Sequence, residues 1–149
     1  MFTGTGWVLD VPVIAGFAKN DPVAHAFVRV ALEQNATLQL PAAAVATAYV
    51  EAGDAADNIG DLHDLPVVVL DALDGSRSVD AGSLLARARD AEEARSDWRA
   101  LARAHICAVA RAREWPIVTG DAVVPFHAFD HRLEVRMLWP RRPPKPTWQ

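Results

Sequence analysis

Short runs of aliphatic and β-branched residues alternate with longer amphipathic stretches along this chain. WVLDV at 7–11 reads as a short buried strand ending in an acid, followed by Pro12 and the apolar run VIAGFA. Asp21 then Pro22 is an N-cap with proline at the first helical position, which predicts a helix through about Asn35. LQL at 38–40 predicts a second strand, and Pro41 opens an alanine-rich helix that Gly53 can end in a left-handed conformation. A short acidic helix is expected over roughly 54–63. VVVL at 67–70 is short and β-branched, the signature of a buried parallel strand. Helices are expected over 78–90 and 97–114, with Ser96 capping the second. PIVT at 116–119 predicts a fourth strand, closed by Gly120 and Asp121, and VRMLW at 135–139 a fifth. The order β-α-β-α-β-α-β-β predicts an α/β domain with a mostly parallel central sheet.

Composition narrows this further. With 149 residues, 51% of them hydrophobic, the chain suits one domain that can bury a core without covalent staples. A single cysteine, Cys107, excludes an internal disulfide framework and a zinc ribbon, and fits a reducing cytoplasm. The start, MFTGTGWVLD, lacks the basic region and long apolar core of a secretory leader. No apolar stretch approaches the ~20 residues that span a bilayer, so a membrane is not an expected partner. The last ten residues, PRRPPKPTWQ, carry four prolines and are expected to be an extended, mobile tail, dispensable for folding, beyond a single domain over 1–139.

Charge is unevenly spread. Residues 30–76 hold eight acids and no lysine or arginine, whereas from 77 onward thirteen bases face nine acids. Such asymmetry marks either a bipolar surface with an acidic, partner-facing side or ordinary solvated helix faces. A net charge of −4 argues against strong sequence-independent binding to duplex nucleic acid but leaves room for a local groove.

In open parallel sheets, ligands bind beyond the carboxyl ends of the strands. Two acids fall there: Asp10 after the first strand, and Asp121 two residues after Thr119. Each alone could be a cap or turn residue. Two that converge call for a cation, because a strand-end carboxylate is costly to desolvate unpaired.

Taken together, WVLDVPVIAGFA, LQLPAAAVATAYVEA and RAHICAVARAREWPIVTGD resemble the successive blocks of a PIN domain, especially the bacterial VapC-like toxins, over residues 7 to about 139. The resemblance implies a three-layer α/β/α sandwich and a Mg²⁺- or Mn²⁺-dependent ribonuclease site built from four acids. There the acids would hold one or two ions that activate water and stabilise charge on a scissile phosphate. It also implies RNA as substrate and, for toxins of this kind, an antitoxin-like protein as partner. Together with the short acidic helix at 54–63 it points to a homodimer or partner interface. Asp10 matches the first acid and Asp121 the last, but Thr47 stands at the second position and Arg103 at the third. Pro12 replaces the small hydroxyl residue that usually follows the first acid by two. The pattern is therefore that of a degenerate site, with no bound metal expected unless other acids compensate.

Glu51, one turn beyond Thr47, is the acid best placed to compensate, though it also reads as a surface glutamate. Asp97 reads as first-turn charge complementing a helix dipole. His105 reads as a buried, hydrogen-bonded histidine, His127 and His131 as exposed loop residues, and Cys107 as an inert core thiol. Arg103 is expected to take the place of the cation electrostatically, forking onto Asp10, Asp121 or both. Three function classes follow. The first is a non-catalytic PIN-like module that binds RNA or a protein. The second is an active Mg²⁺- or Mn²⁺-dependent endoribonuclease using Asp10, Glu51 and Asp121. The third, a phosphotransfer enzyme of haloacid-dehalogenase type, is weakest, because Pro12 stands where a second acid is needed and no glycine-rich phosphate loop is present.

Overall fold

The computed structural model describes residues 5–88, 97–120 and 124–139. Five strands form one all-parallel sheet: β1 (Gly6–Leu9), β2 (Thr37–Pro41), β3 (Val68–Asp71), β4 (Ile117–Thr119) and β5 (Val135–Met137), in the spatial order β3-β2-β1-β4-β5. The helices are α1 (Val11–Ala18), α2 (Pro22–Glu33), α3 (Ala42–Ala52), α4 (Ile59–His63), α5 (Gly75–Ala86), α6 (Ala100–Arg113) and α7 (Val124–His127). Helix α1 packs on α2, α3 and α4, while α6 packs on α5 and on β1, β2 and β4. The result is a three-layer α/β/α sandwich of PIN-like form. None of the described helices is long and apolar enough to cross a membrane.

Local sequence explains most element ends. Asp21 caps α2 by accepting from the N–H groups of Val23 and Ala24 at 2.9 and 3.0 Å, and Pro22 fills the first turn. Asp74 caps α5 through the Arg77 N–H, so that helix starts at Gly75 rather than at 78. Gly53 ends α3 with φ of 57°, a region glycine enters without strain. The acidic stretch 54–63 is divided between a 3₁₀ turn over Gly53–Asn58 and α4.

Three differences from the sequence pattern have physical causes. The run after Asp10 is a helix, because Asp10 accepts the Val11 N–H as N-cap and Pro12, in the first turn, needs no donor there. The strand expected over 67–70 is not buried. It is the outer strand of the sheet, leaving Val69 45% and Leu70 43% exposed, because only β2 flanks it. Helix α6 starts at Ala100 rather than at 97, because Asp97 stands ahead of it as a side-chain acceptor for the Arg99 N–H at 2.9 Å. The expected Ser96 cap, residues 89 and 90 of the helix expected over 78–90, Asp121 and the tail 140–149 lie outside the described residues.

The core gathers Leu9, Ile14, Leu38, Leu40, Ile59, Leu62, Ile106 and Ile117, all fully buried. Replacing Leu40 by Ala should therefore cost about 3 kcal/mol in chemical denaturation at an unchanged m-value. The same measurement on Leu70→Thr, at the exposed outer strand, should register less than about 1 kcal/mol.

Candidate functional site

The carboxyl ends of β1 and β4 meet at Asp10. Its backbone N–H extends the ladder to the Val118 carbonyl at 2.9 Å. Its Oδ1 accepts from the Val11 N–H at 2.7 Å and its Oδ2 from the Thr119 hydroxyl at 2.7 Å. Asp10 is only 4% exposed and Thr119 is wholly buried. Both carboxylate oxygens are thus engaged by donors that also fix the two strand ends against each other. Pro12 and the ring of Trp139 lie against Gly120, and a side chain there would collide with the indole. Trp139 also rests on Gly16 and donates from Nε1 to Asp21 at 3.1 Å. The Ala24 N–H foremost, helped by this indole, holds the Asp21 carboxyl below its usual range.

The other positions of the expected acidic set are occupied differently. Thr47, on α3, donates its hydroxyl back to the Ala43 carbonyl at 2.8 Å. Arg103 does not make the expected fork onto Asp10. Its Nη1 bonds Asp97 Oδ2 at 2.9 Å, because Asp97 stands just ahead of the same helix with one oxygen free once the other has taken the Arg99 N–H. Asp97 is therefore more than dipole-complementing charge, and its carboxyl is held low by the Arg99 N–H and by Arg103. Glu51 is in an ion pair with Arg99. Asp121 lies outside the described residues.

A divalent ion needs several converging oxygen ligands. Among the described residues no group of three or more Asp, Glu, His or Cys side chains could hold one. Asp10 has both oxygens engaged, Thr47 and Arg103 supply no carboxylate, and Glu51 answers to Arg99. Of the expected acids the described residues thus offer one strand-end carboxylate, Asp10, which alone does not make a Mg²⁺ or Mn²⁺ site.

A second polar cluster joins α6 to the carboxyl end of β3. His105 is fully buried; its Nδ1 accepts the Ala43 N–H at 3.3 Å, which leaves Nε2 to donate to Asp71 Oδ1 at 2.9 Å. Arg77 grips the same carboxylate in bidentate fashion at 3.0 and 3.1 Å. Burial pushes the His105 pKa down more than Asp71 raises it, so the ring is neutral at pH 7. Asp71 is held low by Arg77 and His105 against the opposing pull of its burial. Sequence reasoning anticipated a buried His105 but missed Asp71, although VVVLD closes its strand with an acid just as WVLD does. Cys107 is buried, and burial followed by the charge of Asp10 pushes its thiol pKa far up, so it is inert. His127 is not the exposed loop residue expected: it is half-buried at the end of α7 and its Nε2 donates to the Leu133 carbonyl at 3.1 Å, whereas His131 is exposed.

No family model matches the chain, and no curated protein matches it. Among solved structures it is similar to the structure of FitAB bound to an IR36 DNA fragment. The match has 18% sequence identity and a TM-score of 0.57, and covers 91% of this chain and 97% of that one. At that identity the likeness is one of fold, and it agrees with the PIN-like sandwich.

Two outcomes are expected. Thr119→Val removes a donor from a buried carboxylate and should cost about 1–3 kcal/mol, with Thr119→Ser recovering most of it in the same denaturation assay. The His105 effect has a definite sign. Its folded pKa lies below the unfolded value of 6.5, so the unfolded chain binds the extra proton and stability falls as pH drops below about 6.5. Melting temperature measured from pH 7.5 to 5.5 should therefore decline in the wild type and decline less steeply in His105→Gln.

Proposed function

We propose that this protein is a PIN-like RNA-binding module whose strand-end site does not support metal-dependent cleavage. The observation that carries this is the pair of arginines, Arg99 and Arg103, at the start of α6. A helix N-terminus already carries partial positive charge, so two guanidinium groups there oppose cation capture. Their partners, Glu51 and Asp97, are then occupied in neutralising them. A strand of RNA is the ligand suggested by the resemblance to RNA-cleaving PIN domains and by the excess of arginine in the second half of the chain. The similar FitAB structure holds a DNA fragment, which agrees with a nucleic-acid-facing use of the fold. An antitoxin-like protein and a second copy of this chain are the protein partners that accompany this proposal.

A second reading, an active endoribonuclease with Mg²⁺ or Mn²⁺ on Asp10, Asp121 and Glu51, is favoured by one feature. Asp10 stands at the carboxyl end of a central strand, where such a ligand belongs. Calorimetry with Mn²⁺ separates the two. The wild type should bind no metal at millimolar concentration and leave a labelled RNA intact while retarding it in a salt-dependent manner. Thr47→Glu combined with Arg103→Asp should create measurable Mn²⁺ affinity. Tight Mn²⁺ binding by the wild type, abolished by Asp10→Asn, would replace the binding module with the nuclease. Absence of any RNA binding would remove RNA as the ligand.

A further inference from the structure

At the outer edge of the sheet, a cleft of about 180 Å³ opens between β3, the start of α5 and the last turn of α6. Gln39 of β2 forms part of its wall. It stands between Leu38 and Leu40 but on the opposite face of the sheet, in register with Val8 and Val69. Val8 is wholly buried and Val69 is half-exposed, so Gln39 sits where the helical cover of the sheet runs out. The residue is 2% exposed, and its Oε1 is buried with no hydrogen-bond partner. A buried amide oxygen without a donor destabilises a fold, and an aliphatic residue would pack the strand better. The fold supplies Oε1 with no donor, and a ligand in the cleft that donates to it would.

The rim defines that ligand. Asp74 takes the Arg77 N–H on Oδ1 at 2.8 Å and keeps a second carboxylate oxygen as an acceptor. Arg77 is locked onto Asp71 and offers the cleft little. Arg113 is exposed, its guanidinium 5.8 Å from the centroid of the Trp115 ring, with no carboxylate partner among the described residues. The lining of the cleft thus includes acceptors, Gln39 and Asp74, and a planar cation, Arg113. An inorganic anion would meet the acceptors unfavourably. A planar ring with adjacent N–H donors on one edge and acceptors on another satisfies both. Guanine has that arrangement: N1–H and the N2 amino group as neighbouring donors, O6 and N7 as acceptors suited to an arginine. The space, equal to about six waters, takes a base and leaves sugar and phosphate outside.

We propose that this cleft binds a single guanine base. The proposal rests on the domain being an RNA-binding module and deepens it by naming what the strand presents. The base could come from a free guanine nucleotide or from an unpaired guanine in RNA, and the test separates the two. The full chain is titrated with GMP, AMP, CMP and UMP, and separately with a labelled oligouridine and the same strand carrying one guanine. GMP should bind about tenfold or more tightly than the other nucleotides, the scale of one well-made base contact. The guanine-bearing strand should outbind the oligouridine by a similar factor if RNA is the source. GMP selectivity without that difference would make the free nucleotide the ligand of the same cleft. Gln39→Met should abolish the selectivity while leaving the melting temperature unchanged or higher, and Arg113→Ala, a surface change that spares the core, should weaken it. Equal binding of all four nucleotides and both strands, or selectivity that survives Gln39→Met, would overturn the guanine site and leave RNA binding standing. GMP selectivity in a protein that binds neither strand would do the reverse.

Discussion

A carboxylate enclosed at the end of a central strand must be supplied with donors, and the middle of this molecule is arranged around that need. Asp10 receives one hydrogen bond from the helix it caps and another from Thr119 on the neighbouring strand. The first sets the direction in which the chain leaves β1, and hence where α1 lies. The second joins β1 to β4 and fixes how the second half of the sheet sits on the first. With a donor on each oxygen, the group acts as a joint between these elements.

The electrostatics of α6 follow a related logic. Arginines in a first helical turn are unfavourable beside the partial positive charge of the N–H groups. Here each has a carboxylate: Glu51 reaches across from α3, and Asp97 lies just upstream. Both pairs are partly buried, so they are screened less than pairs at the open surface. Glu51 and Asp97 are thereby tied to guanidinium groups.

The architecture was legible where local chemistry is decisive. Asp21–Pro22 at a helix start, Gly53 at a helix end, and the β-branched runs at β1 and β4 each point one way. Pro12 alone does not say whether VIAGFA is helical, because proline interrupts a helix in its middle but is accommodated in its first turn, and only the cap on Asp10 tells which applies. VVVL misled because an apolar run signals a strand without telling whether it has one neighbour or two. The site was half legible. The resemblance to PIN domains marks Thr47 and Arg103 as departures from the acidic set it implies, but it does not reveal that Asp97, nearly two turns before Arg103, holds the guanidinium. Gln39 gave no signal, since one glutamine between two leucines looks like a residue pointing to water, and only the third dimension encloses it.

The hydrogen bond between Thr119 and Asp10 joins residues 109 positions apart. Strands β1, β2 and β3 all come from the first half of the chain and can assemble by crossovers of modest length. The central strand nevertheless keeps one side open until β4 arrives. Closing so long a loop costs entropy before any contact repays it, which places docking of β4 late on the folding route. A contact made that late hardly affects how fast the chain folds, and a substitution that weakens it acts mainly by accelerating unfolding. The same threonine that quiets a buried charge therefore sets how long the folded molecule lasts.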